Sequence, residues 1–417
     1  MTAPPSSPPR LDGPWQDAAR GANLLRSATA DPSAVQPSIF ARMSALATRL
    51  GAMNLGQGFP DDDPPEVVAR TAAEAILAGR NQYPPGPGTP ELREAVAAHQ
   101  ARWYGMDVDP DAEVLVTTGA SEALSASLLA FIRPGDEVLT LEPFFDLYGG
   151  VIGLAGGVHR TVPLASSIGE DGDLVLGVDP AAIRAAITER TRVILLNTPH
   201  NPTGLVLGED VLRAVVEGAR THDALIITDE VYEHLLFDGA RHRPIATLPG
   251  AWERTITIGS AGKTFSVTGW KIGWVTAPKE LVTAVTAVKQ WLTYVSGAPF
   301  QPAIAAGLAL PEDAFSAIAA DLQRRRDGLL EVLRRTGFRV SVPRAGYFVV
   351  ADAAPLGETD GEDLCERLAH EAGVVAIPCS AFYRGDPGEA RSHVRFAFCK
   401  ADAVMDEAAQ RLERWAS

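Results

Sequence analysis

The segment Ser260-Ala-Gly-Lys263-Thr-Phe-Ser-Val-Thr-Gly269-Trp-Lys271-Ile-Gly273 holds two lysines eight positions apart, set among Ser, Gly, Phe and Trp rather than among charges. It follows Thr255-Ile-Thr-Ile258, an apolar run that reads as a buried strand. Glycines let the backbone approach a ligand closely, and a lysine at a strand end can be desolvated enough to lose its proton. The neutral amine is then a nucleophile that forms Schiff bases with aldehydes. A surface turn with solvated lysines is the plainer reading, and it holds for most isolated lysines.

Other segments could serve the same chemistry. Val116-Thr-Thr-Gly119-Ala120-Ser121-Glu122-Ala123 reads as strand, tight turn and helix start. Free amides at a helix N-terminus, with Ser121 as cap, make a seat for a phosphate, although an ordinary capped helix looks the same. Glu142-Pro-Phe144-Phe145-Asp-Leu-Tyr148 follows another strand end, where two aromatics either join the core or offer a face to a flat ring. Asn197-Thr-Pro-His200-Asn201-Pro202-Thr-Gly204 has the prolines of a rigid loop, which do not account so well for its asparagines. Asp229, in Thr228-Asp229-Glu230-Val-Tyr232-Glu233, ends an otherwise apolar strand; a solvated strand terminus would look alike. His393-Val-Arg395-Phe-Ala-Phe398 places an arginine within an apolar strand. A buried arginine requires an anionic partner, and its planar fork fits a carboxylate bidentately, whether from a structural salt bridge or from a ligand.

These segments need a scaffold that brings strand ends together. Val114–Thr117, Glu137–Leu141, Arg192–Leu196, Leu225–Thr228 and Thr255–Ile258 read as buried strands, alternating with helical patterns such as Pro64–Leu77 and Pro90–Trp103. Continuous apolar runs of this kind fit a mainly parallel central sheet with helices on both faces, an α/β fold whose ligands collect at the carboxyl ends of the strands. A long helical pattern covers Pro278–Val295. Beyond residue 306 the expected order is helix, two strands, helix, two strands, helix. Its strands are Phe338–Val342, Gly346–Ala351, Val374–Pro378 and His393–Phe398, forming a smaller α+β domain.

The 417 residues exceed one compact core and suggest more than one domain. Residues 1–37, rich in Pro, Ser and Ala, read as a flexible extension, part of which can order against the body. Residues 38–60 form an arm containing the glycine loop Asn54-Leu-Gly-Gln-Gly58-Phe-Pro60, residues 61–305 a large domain and 306–417 the small one. The net charge of −15 argues against a nucleic-acid partner. The only basic triplet, Arg324-Arg-Arg326, lies in a helical pattern and reads as a solvated face. Three cysteines without metal-ligand spacing, no apolar run long enough for a bilayer and no signal-peptide pattern point to the cytoplasm and give no sign of a metal or a membrane.

Taken together and in this order, the motifs from about residue 38 to the C-terminus resemble the class I/II aminotransferases, pyridoxal phosphate (PLP) enzymes of fold type I. The lysine in place of a common arginine at position 271 is similar to the kynurenine aminotransferase-like branch. The resemblance implies that Lys263 carries PLP and acts as general base, with Asp229 on the ring nitrogen, Tyr232 and Asn201 on the phenolic oxygen, and Phe145 stacking on the ring. It implies a phosphate seat of Ala120, Ser121, Ser260 and Lys271. Tyr83, in Asn81-Gln-Tyr83-Pro-Pro-Gly86-Pro-Gly88, would reach the phosphate of a neighbouring subunit in a homodimer; a loop with an incidental tyrosine is the alternative. Arg395, with Asn201 and Gly58, would bind the substrate. The partners implied are an amino acid and a 2-oxo acid. Three segments (81–88, 268–274 and 294–302) look most like actinobacterial N-succinyldiaminopimelate aminotransferases, while Ser296-Gly297 departs from the bulky rings of the kynurenine enzymes. The other expectations are a methionine or aromatic aminotransferase, a cysteine-S-conjugate β-lyase and, outside enzymes, a PLP-sensing regulator, for which the N-terminal extension supplies no nucleic-acid-binding module.

Overall fold

The computed structural model describes residues 11–25, 29 and 31–417. Its central sheet has seven strands: β1 Val114–Thr118, β2 Glu137–Glu142, β3 Val158–Pro163, β4 Thr191–Asn197, β5 Leu225–Asp229, β6 Thr255–Ser260 and β7 Ile272–Thr276. They lie in the order β1-β7-β6-β5-β4-β2-β3. Only β7 runs antiparallel to its neighbours. The sheet is therefore mainly parallel, as the apolar runs imply. Neighbouring residues of one strand feed opposite layers: Val193 and Leu195 pack with the helix Gly119–Phe131 side, Ile194 and Leu196 with the helix Glu209–Thr221 side. With both faces covered, a polar side chain in such a run is costly unless it finds a partner.

The small domain carries a four-stranded antiparallel sheet in the order Arg339–Val340, Phe348–Asp352, His393–Ala397, Ile377–Pro378. The run Val374–Pro378 is not one strand. Val374 and Val375 pair in parallel with Met53 and Asn54, so this short piece stitches the segment after helix Ile39–Leu50 to the small domain. Before that segment, helix Trp15–Gly21 packs on helix Asp146–Leu154 at near backbone contact. A Cβ on Gly21 would sit 1.9 Å from the Gly149 carbonyl oxygen, and one on Gly153 would sit 2.2 Å from that of Asp17. Among the described residues, no single helix is long and apolar enough to cross a membrane.

Two further expectations are corrected. The helix over Pro278–Val295 ends early, spanning Lys279–Lys289. Tyr294 and Gly297 take left-handed backbone (φ 62° and 67°), and the buried Lys289 ammonium donates to the carbonyls of Gly86 and Tyr294, so the chain turns where a helix would continue. The triplet Arg324–Arg326 is not a solvated face. Only Arg324 is exposed; the Arg325 and Arg326 side chains are 7% and 3% exposed. Arg325 pairs with Asp62, Asp321 and Asp402, and Arg326 with Asp238 and Asp327, because helix Glu312–Arg335 turns this side toward the domain junction.

Candidate active site

β1, β4, β5 and β6 end at one cavity of about 460 Å³, where the strand ends of a parallel sheet leave unsatisfied backbone and loop side chains. β6 runs into the short helix Ala261–Thr264, started by Ser260, whose Oγ accepts from the Gly262 N–H at 3.2 Å. Lys263 lies on this turn with its ammonium buried. Nζ donates to the Gly58 carbonyl at 3.3 Å and lies 5.6 Å and 5.9 Å from the ring centres of Tyr347 and Tyr232. It has no carboxylate within ion-pair distance among the described residues. Burial holds its pKa below the ordinary lysine value; the Asp229 carboxylate opposes that shift, and Arg395 and Lys271 add to it.

Asp229 closes β5 and is 5% exposed. Its Oδ2 accepts from the Tyr148 hydroxyl at 2.7 Å, and its backbone carbonyl accepts from Asn197 Nδ2 at 2.8 Å. Burial pushes the carboxyl up to about 6, against the lowering effect of the Tyr148 bond and the Lys263 charge. Asn197 also accepts from the Asn201 N–H at 2.6 Å, so one amide ties the end of β5 to the loop after β4. The Tyr232 ring meets Tyr347 edge-on at 5.3 Å, and the Tyr347 hydroxyl donates to the Lys263 carbonyl at 2.9 Å.

At the far side stands Arg395, 1% exposed. NH1 donates to Asn201 Oδ1 at 3.2 Å and NH2 to the Gly56 carbonyl at 2.9 Å, while Nε has no partner among the described residues. Three rings enclose the guanidinium: Phe348 at 3.8 Å, Phe382 at 4.8 Å and Phe40 at 5.3 Å. No carboxylate pairs with it among the described residues, and burial lowers it to about 10. The structural salt bridge that such an arginine could have served is therefore not its function; its charge faces the cavity unneutralised. Gly58 belongs here because a Cβ would reach 2.2 Å from Phe348 Cζ, displacing the ring stacked on Arg395.

The third corner is a pair of turns. Helix Gly119–Phe131 presents its first amides, and Ala120 and Ser121 line the cavity; Ser121 is not the expected cap, because the helix begins two residues earlier with Thr118 at the N-cap position. Lys271, at φ 54°, folds back so that Nζ donates to Ser121 Oγ at 3.4 Å. A Cβ on Gly273 would lie 2.6 Å from the Gly119 carbonyl carbon, so backbone packs on backbone at this corner. Phe145 forms another wall.

Lys263, Asp229, Tyr232, Asn201, Arg395, Ser121, Ala120, Ser260, Lys271, Phe145 and Gly58 thus converge on one cavity. Tyr83 does not. It is 81% exposed and packs edge-on against Tyr294 at 5.8 Å, away from this chain's own cavity. Residues that sequence reasoning left without a role include Tyr148, Asn197, Tyr347 and the rings around Arg395. The spacing of Tyr148, three residues after Phe145 at a helix start, was the one signal available for it. On the other side of the Asp229–Tyr232 segment lies a buried polar cluster. Glu230 bonds His242 at 2.7 Å, Tyr104 donates to Glu233 at 2.5 Å, and His99 and His234 share a 2.6 Å hydrogen bond.

Residues 51–412 match the family profile of aminotransferase class I and II. The chain is a class I/II aminotransferase. It is 50% identical over 382 residues to a probable N-succinyldiaminopimelate aminotransferase of Mycobacterium tuberculosis, covering 90% of this chain and 95% of that one. The solved N-succinyldiaminopimelate aminotransferase structure from M. tuberculosis superposes with a TM-score of 0.87 at 49% identity, covering 91% and 97% of the two chains. A kynurenine–oxoglutarate transaminase of Dictyostelium discoideum is 37% identical, over 91% and 94%. Like its family, this aminotransferase uses pyridoxal phosphate and acts on amino and 2-oxo acids.

Proposed function

We propose that this aminotransferase moves an amino group between N-succinyl-L,L-diaminopimelate and the 2-oxoglutarate/glutamate couple, in lysine biosynthesis. The observation that carries the transfer chemistry is a buried arginine with no acid partner facing the same cavity as a desolvated lysine. An α-amino acid fills such a pair, with its carboxylate on Arg395 and its Cα toward Lys263. The choice of donor is supported by the relative with 50% identity.

The residues fit the cofactor. Lys263 Nζ, held below its ordinary pKa, is suited to bond the aldehyde carbon. The helix amides at Ala120 and Ser121, with Ser260 and Lys271, suit a phosphate. Asp229 offers a carboxylate to a ring nitrogen, Tyr232 and Asn201 offer donors to a phenolic oxygen, and Phe145 offers a ring face. When bound, pyridoxal phosphate supplies the aldehyde and a ring that accepts electrons. The chain's own work is then to hold and move protons. Lys263 Nζ would take and carry the proton of the substrate Cα, and the Asp229 carboxylate would hold a proton at the ring nitrogen. Arg395 and Asn201 orient the α-carboxylate; the aromatic rings around the guanidinium exclude water and keep its charge strong.

The functional unit we propose is a homodimer in which Tyr83 contributes to the phosphate seat of the second copy. The exposed aromatics Tyr83, Trp291 and Tyr294 support it. Three free, buried cysteines are in keeping with a cytoplasmic enzyme. Steady-state kinetics on purified protein with a panel of amino donors tests the substrate. N-Succinyldiaminopimelate should give the highest kcat/KM. Kynurenine or methionine outrunning it, or pyruvate released from a cysteine conjugate without an oxo-acid acceptor, would sink this choice and install the corresponding rival.

A further inference from the structure

We infer that Tyr148 is a positioning residue for the cofactor's ring nitrogen, acting through Asp229. Its hydroxyl donates to Asp229 Oδ2 at 2.7 Å, it is 2% exposed, and it does not line the cavity. It therefore touches the carboxylate from behind and never the reacting groups. The other oxygen, Oδ1, has only a 3.5 Å approach from the Val231 N–H, so its lone pairs are left for a ligand. A carboxylate on a broad, two-fold side-chain torsion presents either oxygen; a donor fixed to one of them selects the orientation.

The local sequence builds this support in a single helical turn. Phe145 and Tyr148 are three residues apart at the start of helix Asp146–Leu154, which puts them on one face. Their rings meet edge-on at 5.7 Å, and Phe145 forms a cavity wall. One turn thus sets both the wall that would face the cofactor ring and the donor behind the carboxylate. Asn197 holds the main chain of Asp229 independently, at 2.8 Å, so the phenol governs the side chain and not the strand. A donated hydrogen bond also favours the ionised carboxylate, which burial opposes.

The inference rests on the proposed role of Asp229, which Asp229→Asn tests separately. The holoenzymes to compare are wild type, Tyr148→Phe, Tyr148→His and Asp229→Asn, each checked for fold by circular dichroism. Phenylalanine keeps the ring and removes only the donor. Tyr148→Phe should lower kcat about tenfold, the size of one hydrogen bond to a charged group, and change KM by less than about threefold. The pH midpoint of the bound cofactor's visible absorbance should rise, because a loosely held carboxylate stabilises the ring proton less. Histidine, another donor, should restore part of both. Should phenylalanine not fold, Tyr148→Met removes the donor with the same readouts. A folded donor-less variant with wild-type kcat and absorbance midpoint, or a loss confined to KM, overturns the inference. If Asp229→Asn alone shifts the midpoint, only the role of Tyr148 falls; if neither does, the assignment of Asp229 falls with it.

Discussion

Arg395 and Arg326 are both buried arginines of the small domain and its junction, yet they face opposite situations. Arg326 forks onto Asp238 and also meets Asp327, which neutralise it. Arg395 has two neutral oxygens, three aromatic rings and an unpartnered Nε. Burial without a counter-ion destabilises a charge, so the arrangement persists only because the surrounding structure enforces it. The paired arginine is satisfied within the scaffold, and the unpaired one is open to the anionic ligand we propose for it. Lys263 falls in the second group, with a carbonyl as its one hydrogen-bond partner among the described residues.

The sharpest way to break this division is at Lys263. Lys263→Ala should abolish the cofactor tag that borohydride fixes on the wild type, as read by peptide mapping, and lower transamination by at least about 10⁴-fold. A tag at another lysine would remove the premise. Next comes the arginine pair. Arg395→Gln should reduce kcat/KM for the amino donor by about 10² to 10³-fold without lowering the thermal midpoint of the apoprotein, since no ion pair is lost. Arg326→Gln should do the reverse. It should cost about 2 kcal/mol of stability, less than a fully buried pair because its aspartates are half-exposed, and leave kcat/KM per folded molecule unchanged. Equal behaviour of the two variants would erase the distinction.

A smaller effect concerns Asp229, a buried acid with no salt-bridge partner among the described residues, whose burial outweighs the Lys263 charge. Its carboxyl sits at about 6 when folded against 3.8 as the ordinary value, so the folded apoprotein holds this proton more tightly than the unfolded chain does. The sign follows: its contribution weighs against stability above about pH 6 and disappears below about pH 4. Urea midpoints of the apoprotein should carry a component that falls between those values, and Asp229→Asn should remove it; a pH-independent difference between the two proteins would contradict the buried-acid account. The mildest change is Gly58→Ala. Its methyl must displace Phe348 from Arg395, so KM for the donor should rise about tenfold with little change in the absorbance of the bound cofactor.

Much of the site was legible because its residues break local patterns. Asp229 ends a run of apolar residues, Arg395 interrupts one, and Lys263 stands among small residues where a surface lysine would have charged neighbours. The fold was legible for a related reason: strands covered on both faces carry continuous apolar stretches, as Val193–Leu196 of β4 and Leu225–Ile227 of β5 do. What escaped was anything whose meaning depends on a distant partner. Arg325 and Arg326 read as a basic helix face because Asp62 and Asp238 lie far off in sequence. β3, partly exposed at the sheet edge, and β7, the antiparallel strand, gave no comparable signal.

By itself, then, the sequence determined the layered α/β scaffold and singled out Lys263 and the residues gathered about it, because hydrophobic periodicity and misplaced polar groups are local properties of a chain. Only the tertiary structure decided which buried charges are neutralised and which are left for a ligand. Neutralisation depends on distances of a few ångströms between segments hundreds of residues apart, such as Gly56, Asn201 and Arg395, and those distances exist only once the arm, the sheet and the small domain have packed together.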